Sequence, residues 1–269
     1  MVNKCAATKM KKLFFALSTL SLLTFYSCSK WAGDPITQKF SIDGNYTELQ
    51  VDDAFDVIVS DTVSQIIITA GENVMPYVVV KNSDNRLEIY LKGWHSNRGK
   101  DMTVILPYNA NLKCVDLSGA SDFHSQYGIS GDKVEVDLSG ASDFYCDIIA
   151  DEIDMDLSGS SNVNGYLSAN ELELDMSGSS DANIEGQVAT FKIDLSGSST
   201  IKKVVVGNRY ALVCNQCEGS LSGSSDAYIH CDGSIRVSLS GSSDLYYTGN
   251  ASTSGSSTSG SSDLVHDVL

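Results

Sequence analysis

Asp156-Leu157-Ser158-Gly159-Ser160-Ser161-Asn162-Val163 is followed 19 residues later by Asp175-Met176-Ser177-Gly178-Ser179-Ser180-Asp181-Ala182. It is preceded by the same spacing by Asp137-Leu138-Ser139-Gly140-Ala141-Ser142-Asp143-Phe144. The Ser-Gly-(Ala/Ser)-Ser signature recurs in repeat register eight times, with glycines at 119, 140, 159, 178, 197, 223, 241 and 260, besides an extra copy at Gly255 just before the last. The intervals are therefore 21, 19, 19, 19, 26, 18 and 19 residues. A period near 19 is too short for a helical-hairpin repeat and too long for a heptad. It predicts an all-β chain folded as a parallel β-helix or β-solenoid with coils of about 19 residues.

The residues around each glycine support strands. Val134, Val136 and Leu138 stand six, four and two places before Gly140, and Ile153, Met155 and Leu157 hold the same places before Gly159. Leu172, Leu174, Met176 and then Phe191, Ile193, Leu195 continue the series. This alternation is the period of a strand with one buried face. Four places after the glycine come Phe123, Phe144, Val163, Ala182, Ile201, Ala227 and Leu245, again apolar. Each repeat reads as strand, Gly/Ser corner, strand, loop. The serines flanking each glycine are expected to hydrogen-bond the corner backbone and to play no part as nucleophiles. The last copy, Ser254 to Asp263, keeps the corner but loses its apolar residues, as a polar capping repeat would.

Residues 38–110 carry shorter strand patterns, among them Phe55-Asp56-Val57-Ile58-Val59 and Met102 to Leu106, separated by turn signals such as Asn82-Ser83-Asp84-Asn85. They read as irregular β coils leading into the regular repeats of 111–269. Residues 1–27 have the form of a lipoprotein signal peptide. Lys9, Lys11 and Lys12 precede an apolar run from Leu13 to Tyr26, which ends at Ser27-Cys28. Cys28 is the expected lipidation site, and 28–37 the tether. The run is too short to span a bilayer comfortably.

The 269-residue chain has a formal net charge of −16. Removal of residues 1–27 would leave 14 basic and 34 acidic residues, a net of −20. Such a charge excludes nucleic acid as a partner and confines membrane contact to the lipid anchor.

Three surface features are candidates for chemistry. Asp116, Asp137, Asp156, Asp175 and Asp194 recur three places before their glycines, flanked by Glu135, Asp154 and Glu173. A solvated face is the expectation, with no cofactor. Within it Asp137, Asp154, Asp156, Glu173 and Asp175 are the weak candidate set for Ca²⁺, a hard cation that takes oxygen ligands. The island Lys92 to Lys100 is basic and aromatic, and its Trp94, His95 and Arg98 are the ligand-binding candidates. Cys214-Asn215-Gln216-Cys217 is a CxxC inside the long 26-residue interval. With no helix expected beside it and no second CxxC, it reads as a local disulfide or as buried thiols.

Phe55-Asp56-Val57-Ile58-Val59, then Val104-Ile105-Leu106-Pro107-Tyr108, then the repeated Asp-Leu-Ser-Gly-(Ala/Ser)-Ser together resemble the auto-transporter adhesin family with a "head GIN" domain. That family is common in lipoproteins of Bacteroides-type bacteria. The likeness covers about residues 38–250. It implies a parallel β-helical fold and a cell-envelope location, and its name implies adhesion. It brings no motif of catalytic residues to this chain. The expected function is thus a non-catalytic envelope lipoprotein of the outer membrane, binding an envelope protein or glycan. The alternative is a carbohydrate-active β-helix enzyme, which requires acidic and cationic groups converging in one groove. The seven Lys and Arg of the repeat block are instead spread along it.

Overall fold

A computed structural model describes residues 32–42, 44–93 and 102–269. The first strands are β1 (Pro35–Phe40), β2 (Glu48–Val51), β3 (Phe55–Ser60), β4 (Ile66–Gly71), β5 (Val78–Ser83), β6 (Arg86–Leu91) and β7 (Met102–Pro107). The repeats supply β8 (Cys114–Leu117), β9 (Asp122–His124), β10 (Ile129–Leu138), β11 (Asp143–Tyr145), β12 (Ile148–Leu157), β13 (Asn162–Met176) and β14 (Asp181–Leu195). After β15 (Thr200–Ile201) a small hairpin, β16 (Val205–Val206) and β17 (Arg209–Tyr210), interrupts the series. It resumes with β18 (Leu212–Leu221), β19 (Asp226–Leu239), β20 (Asp244–Thr248), β21 (Ser257–Thr258) and β22 (Leu264–His266).

The fold is all-β, but the expectation of a regular parallel β-helix is corrected. Twenty strands form one mixed sheet, in which β1–β4, β4–β7 and β5–β6 pair antiparallel. For β5 and β6 the cause is local turn chemistry. Asp84 and Asn85 both take left-handed backbone (φ 54° and 66°), the conformation of a two-residue hairpin turn, so β6 returns along β5. Such a hairpin cannot continue a parallel stack.

From residue 114 onward successive repeats do pair in parallel, with β16–β17 the exception. The register matches the repeat. Asp137 pairs with Asp156 and Leu138 with Leu157, then Asp156 with Asp175 and Leu157 with Met176. Val134, Ile153, Leu172, Phe191 and Ile235 are all fully buried, as are the apolar residues that follow the first seven corners; Leu264, after the last, is half-buried. Phe123 and Phe144 stack with ring centroids 5.3 Å apart.

The corner serines have the structural role expected of them. Ser142, Ser161, Ser180, Ser199, Ser225 and Ser243 are fully buried. Each donates its hydroxyl to the carbonyl three residues back, at 2.8–2.9 Å. A buried hydroxyl so satisfied fixes the turn at no desolvation cost. The last copy keeps this bond between Ser262 and Ser259, and β22 continues the pairing onto β20.

Candidate functional site

The carboxylate row is a direct product of the in-register pairing. Asp116, Asp137, Asp156, Asp175 and Asp194 lie side by side on successive strands. With Ser158, Ser177 and Ser196, the last three line an open groove of about 430 Å³. A row does not converge on a point. Among the described residues no group of three or more His, Cys, Asp or Glu is placed to hold a metal ion, so the Ca²⁺ candidates are adjacent without forming a cage.

The flanking row is partly neutralised. Lys133 Nζ lies 3.2 Å from Glu135, 2.9 Å from Glu152 and 3.2 Å from Asp154. Lys192 Nζ lies 2.6 Å from Glu171. Both lysines sit where the register brings acids of neighbouring strands together, and these half-exposed pairs offset repulsion more than they add stability.

In the inner row Asp116 has some relief, from the charge of Arg86. Partial burial, reinforced by neighbouring carboxylates, pushes Asp116, Asp137, Asp156 and Asp175 above the usual value of 3.8. Between 3.8 and these raised values the folded state holds more protons than the unfolded chain. Stability therefore rises as pH falls through that window and is lost again as pH increases. Asp232, held low by the Asn250 backbone N–H, works in the opposite sense. Calorimetry should show a melting temperature that rises as the pH is lowered from neutrality toward the carboxylate range. The double variant Asp137→Asn/Asp156→Asn should flatten that rise. An identical pH slope in both proteins would remove the row as its cause.

A different site emerges at the 26-residue interval. The β16–β17 hairpin is pinned to the neighbouring strands. The Tyr210 backbone N–H donates to Thr248 Oγ1 at 3.3 Å, and its phenol hydrogen-bonds Asp267. Tyr228 and Tyr246 stack at 4.7 Å beneath it, and Lys203 Nζ lies 5.6 Å from the rings of Tyr210 and Tyr228. The hairpin is thus held at a fixed place, and between it and β13–β14 lies a cleft of about 130 Å³. Its walls include Tyr166, Glu185, Gln187, Val206, Arg209 and Val213. Tyr166 is 44% exposed and Val206 51%, comparable to Ile58 and Ile149 elsewhere on the surface, but here the two share one cleft. Lys133, Lys192 and Lys202 are all engaged by carboxylates, whereas Arg209 makes no ion pair with any described residue. An amphipathic ring, an aliphatic wall and an uncommitted planar cation are the usual parts of a small recognition site.

Of the residues singled out in the sequence, Trp94, His95, Arg98 and Cys28 lie outside the described residues. The cleft residues Tyr166 and Arg209 were not singled out. The available signal was the one anomalous interval in the repeat, together with three consecutive valines, Val204 to Val206, where alternation fails.

The geometry defines an all-β repeat protein with long ordered faces and a shallow cleft beside an inserted hairpin. By sequence the chain belongs to the family described as "Putative auto-transporter adhesin, head GIN domain", whose model matches residues 45–251. A crystal structure of a "putative adhesin" from Parabacteroides merdae superposes with a TM-score of 0.74 at 20% identity, over 87% of this chain and 97% of that one. A "putative adhesin" from Parabacteroides distasonis gives 0.70 at 22% identity, over 88% and 95%. A "putative lipid binding protein" from the same species gives 0.73 at 18%, over 87% and 97%. At these identities the likeness is one of fold. No curated protein matches the sequence.

Proposed function

We propose that the chain is a non-catalytic lipoprotein of the cell envelope that binds its ligand at the cleft beside the β16–β17 hairpin. The observation that carries this reading is the cleft itself, where exposed Tyr166 and Val206 stand beside Arg209, which makes no ion pair with any described residue. Membership of a family described as adhesins supports a binding role. The ligand is an envelope glycan or protein. A sugar ring suits the Tyr166 face, and Arg209 suits a carboxylate or phosphate on either kind of ligand. The net negative charge argues against nucleic acid. Anchoring is through lipidated Cys28 in the outer membrane, and no described helix is long and apolar enough to cross a bilayer.

Two experiments bear on this. The wild-type chain should bind saturably to members of a glycan and envelope-protein array, and lipid vesicles belong in the same screen because of the lipid-binding neighbour. Absence of any saturable ligand would count against the binding role. Separately, Cys28→Ala should move the protein from the membrane fraction to the soluble fraction. A variant that stays with the membrane would contradict the anchor.

A further inference from the structure

Three cysteines are buried together behind the cleft wall. Cys214 and Cys217 lie on β18 and Cys231 on β19, each no more than 3% exposed. A spacing of three would put Cys214 and Cys217 on opposite faces of a straight strand. Here Asn215 and Gln216 both face outward round a bend, so both thiols turn inward. Their partners differ. Cys217 is in register with Phe191 on one side and Ile235 on the other. Cys214 is in register with Cys231.

We propose that Cys214 and Cys231 form a disulfide that ties β18 to β19. Register partners on adjacent strands have Cα atoms about 4.8 Å apart, within the span of about 4.4–6.8 Å that a disulfide bridges. The register shifts by one residue immediately beyond this pair, with Gln216 opposite Ser234, which gives the backbone local freedom to turn the two side chains together. Both are free thiols in this structure, and the Cys231 thiol reaches across to β18, donating to the carbonyl of Asn215, the residue after Cys214, at 3.4 Å.

One of the two thiolates attacks a small-molecule or protein disulfide, forming a mixed disulfide and releasing one thiolate. The other thiol gives up its proton and displaces the second thiolate from the mixed disulfide. Two protein thiols lose two electrons and two protons, and one oxidant disulfide becomes two thiols. Because both sulfurs are buried in the finished fold, this exchange occurs as the chain folds, before β19 closes over β18. The oxidising compartment it needs is the one the export signal implies. The bond would also hold Val213, next to Cys214, in the cleft wall.

The test is a disulfide map of the full chain refolded with oxidised glutathione, alkylated under denaturing conditions and digested without reductant. Cleavage after Glu218 separates Cys214 and Cys217 from Cys231. The expected product is a cross-linked peptide pair that persists in Cys217→Ser and is absent from Cys231→Ser. Reducing the oxidised chain should lower its melting temperature by several degrees, since the link closes a loop of 17 residues. An internal Cys214–Cys217 bond, a pair lost in Cys217→Ser, or full alkylation of all three thiols would overturn the assignment. A link that forms on refolding but is missing from freshly isolated protein supports the pairing and counts against the export reading alone.

Discussion

Gly159→Ala should destabilise the protein by roughly 2–6 kcal/mol, the sum of left-handed strain and a steric clash. Gly159 has φ 78°, and a Cβ there would lie 2.3 Å from the carbonyl oxygen of Gly140 in the preceding repeat. That oxygen is not free to move, because it accepts the backbone N–H of Ser160 at 2.7 Å. The change therefore sets two repeats against each other. Gly207→Ala is the control. It has a similar φ of 66° in the hairpin, but its Cβ would meet nothing within 4 Å. It should lose only the strain, about 1–2 kcal/mol. Chemical denaturation of both variants makes the comparison. Equal losses would show that the corners do not pack as described.

Phe144→Ala is the second large effect, about 3–5 kcal/mol. Its ring is fully buried and stacks nearly parallel on Phe123, 9° between planes, while the same column narrows to Val163 and Ala182 further along. The neighbouring backbone is fixed by pairing to β9 and β13, so the space left by the ring cannot collapse. An equilibrium unfolding curve shifted by less than about 1 kcal/mol would mean that the column does not form.

Much of the repeat block was legible because alternation and the Ser-Gly corner repeat at a fixed offset, and each copy corroborates the others. Leu157 and Leu174 are buried where the pattern put them, and the serines bond the corner backbone as expected. Strand direction was not legible. A hydrophobic period of two is the same for parallel and antiparallel neighbours, so Val78–Ser83 and Arg86–Leu91 read as strands without revealing that they form a hairpin. Asp84-Asn85 carried the only local hint.

The carboxylate row was readable as a row, since parallel register maps equal offsets onto neighbouring strands. Its partial neutralisation was only half legible: Lys192 stands in the repeat register, while Lys133 reaches three acids from a place that the pattern gives no reason to notice. The cleft escaped altogether because its parts come from two places. Tyr166 lies on β13, and Val206 and Arg209 on an insertion more than thirty residues later. Only the pairing of β14 with β18 past the hairpin brings them together.

The most direct test of the central claim compares wild type with the double variant Tyr166→Ala/Arg209→Gln for retention of the array ligand that binds wild type most tightly. Both positions are at the surface of the cleft, so unfolding curves of the two proteins should coincide. Calorimetric titration should then show affinity reduced at least tenfold in the variant, about 1.4 kcal/mol or more. Unchanged affinity in an equally stable variant would contradict binding at the cleft.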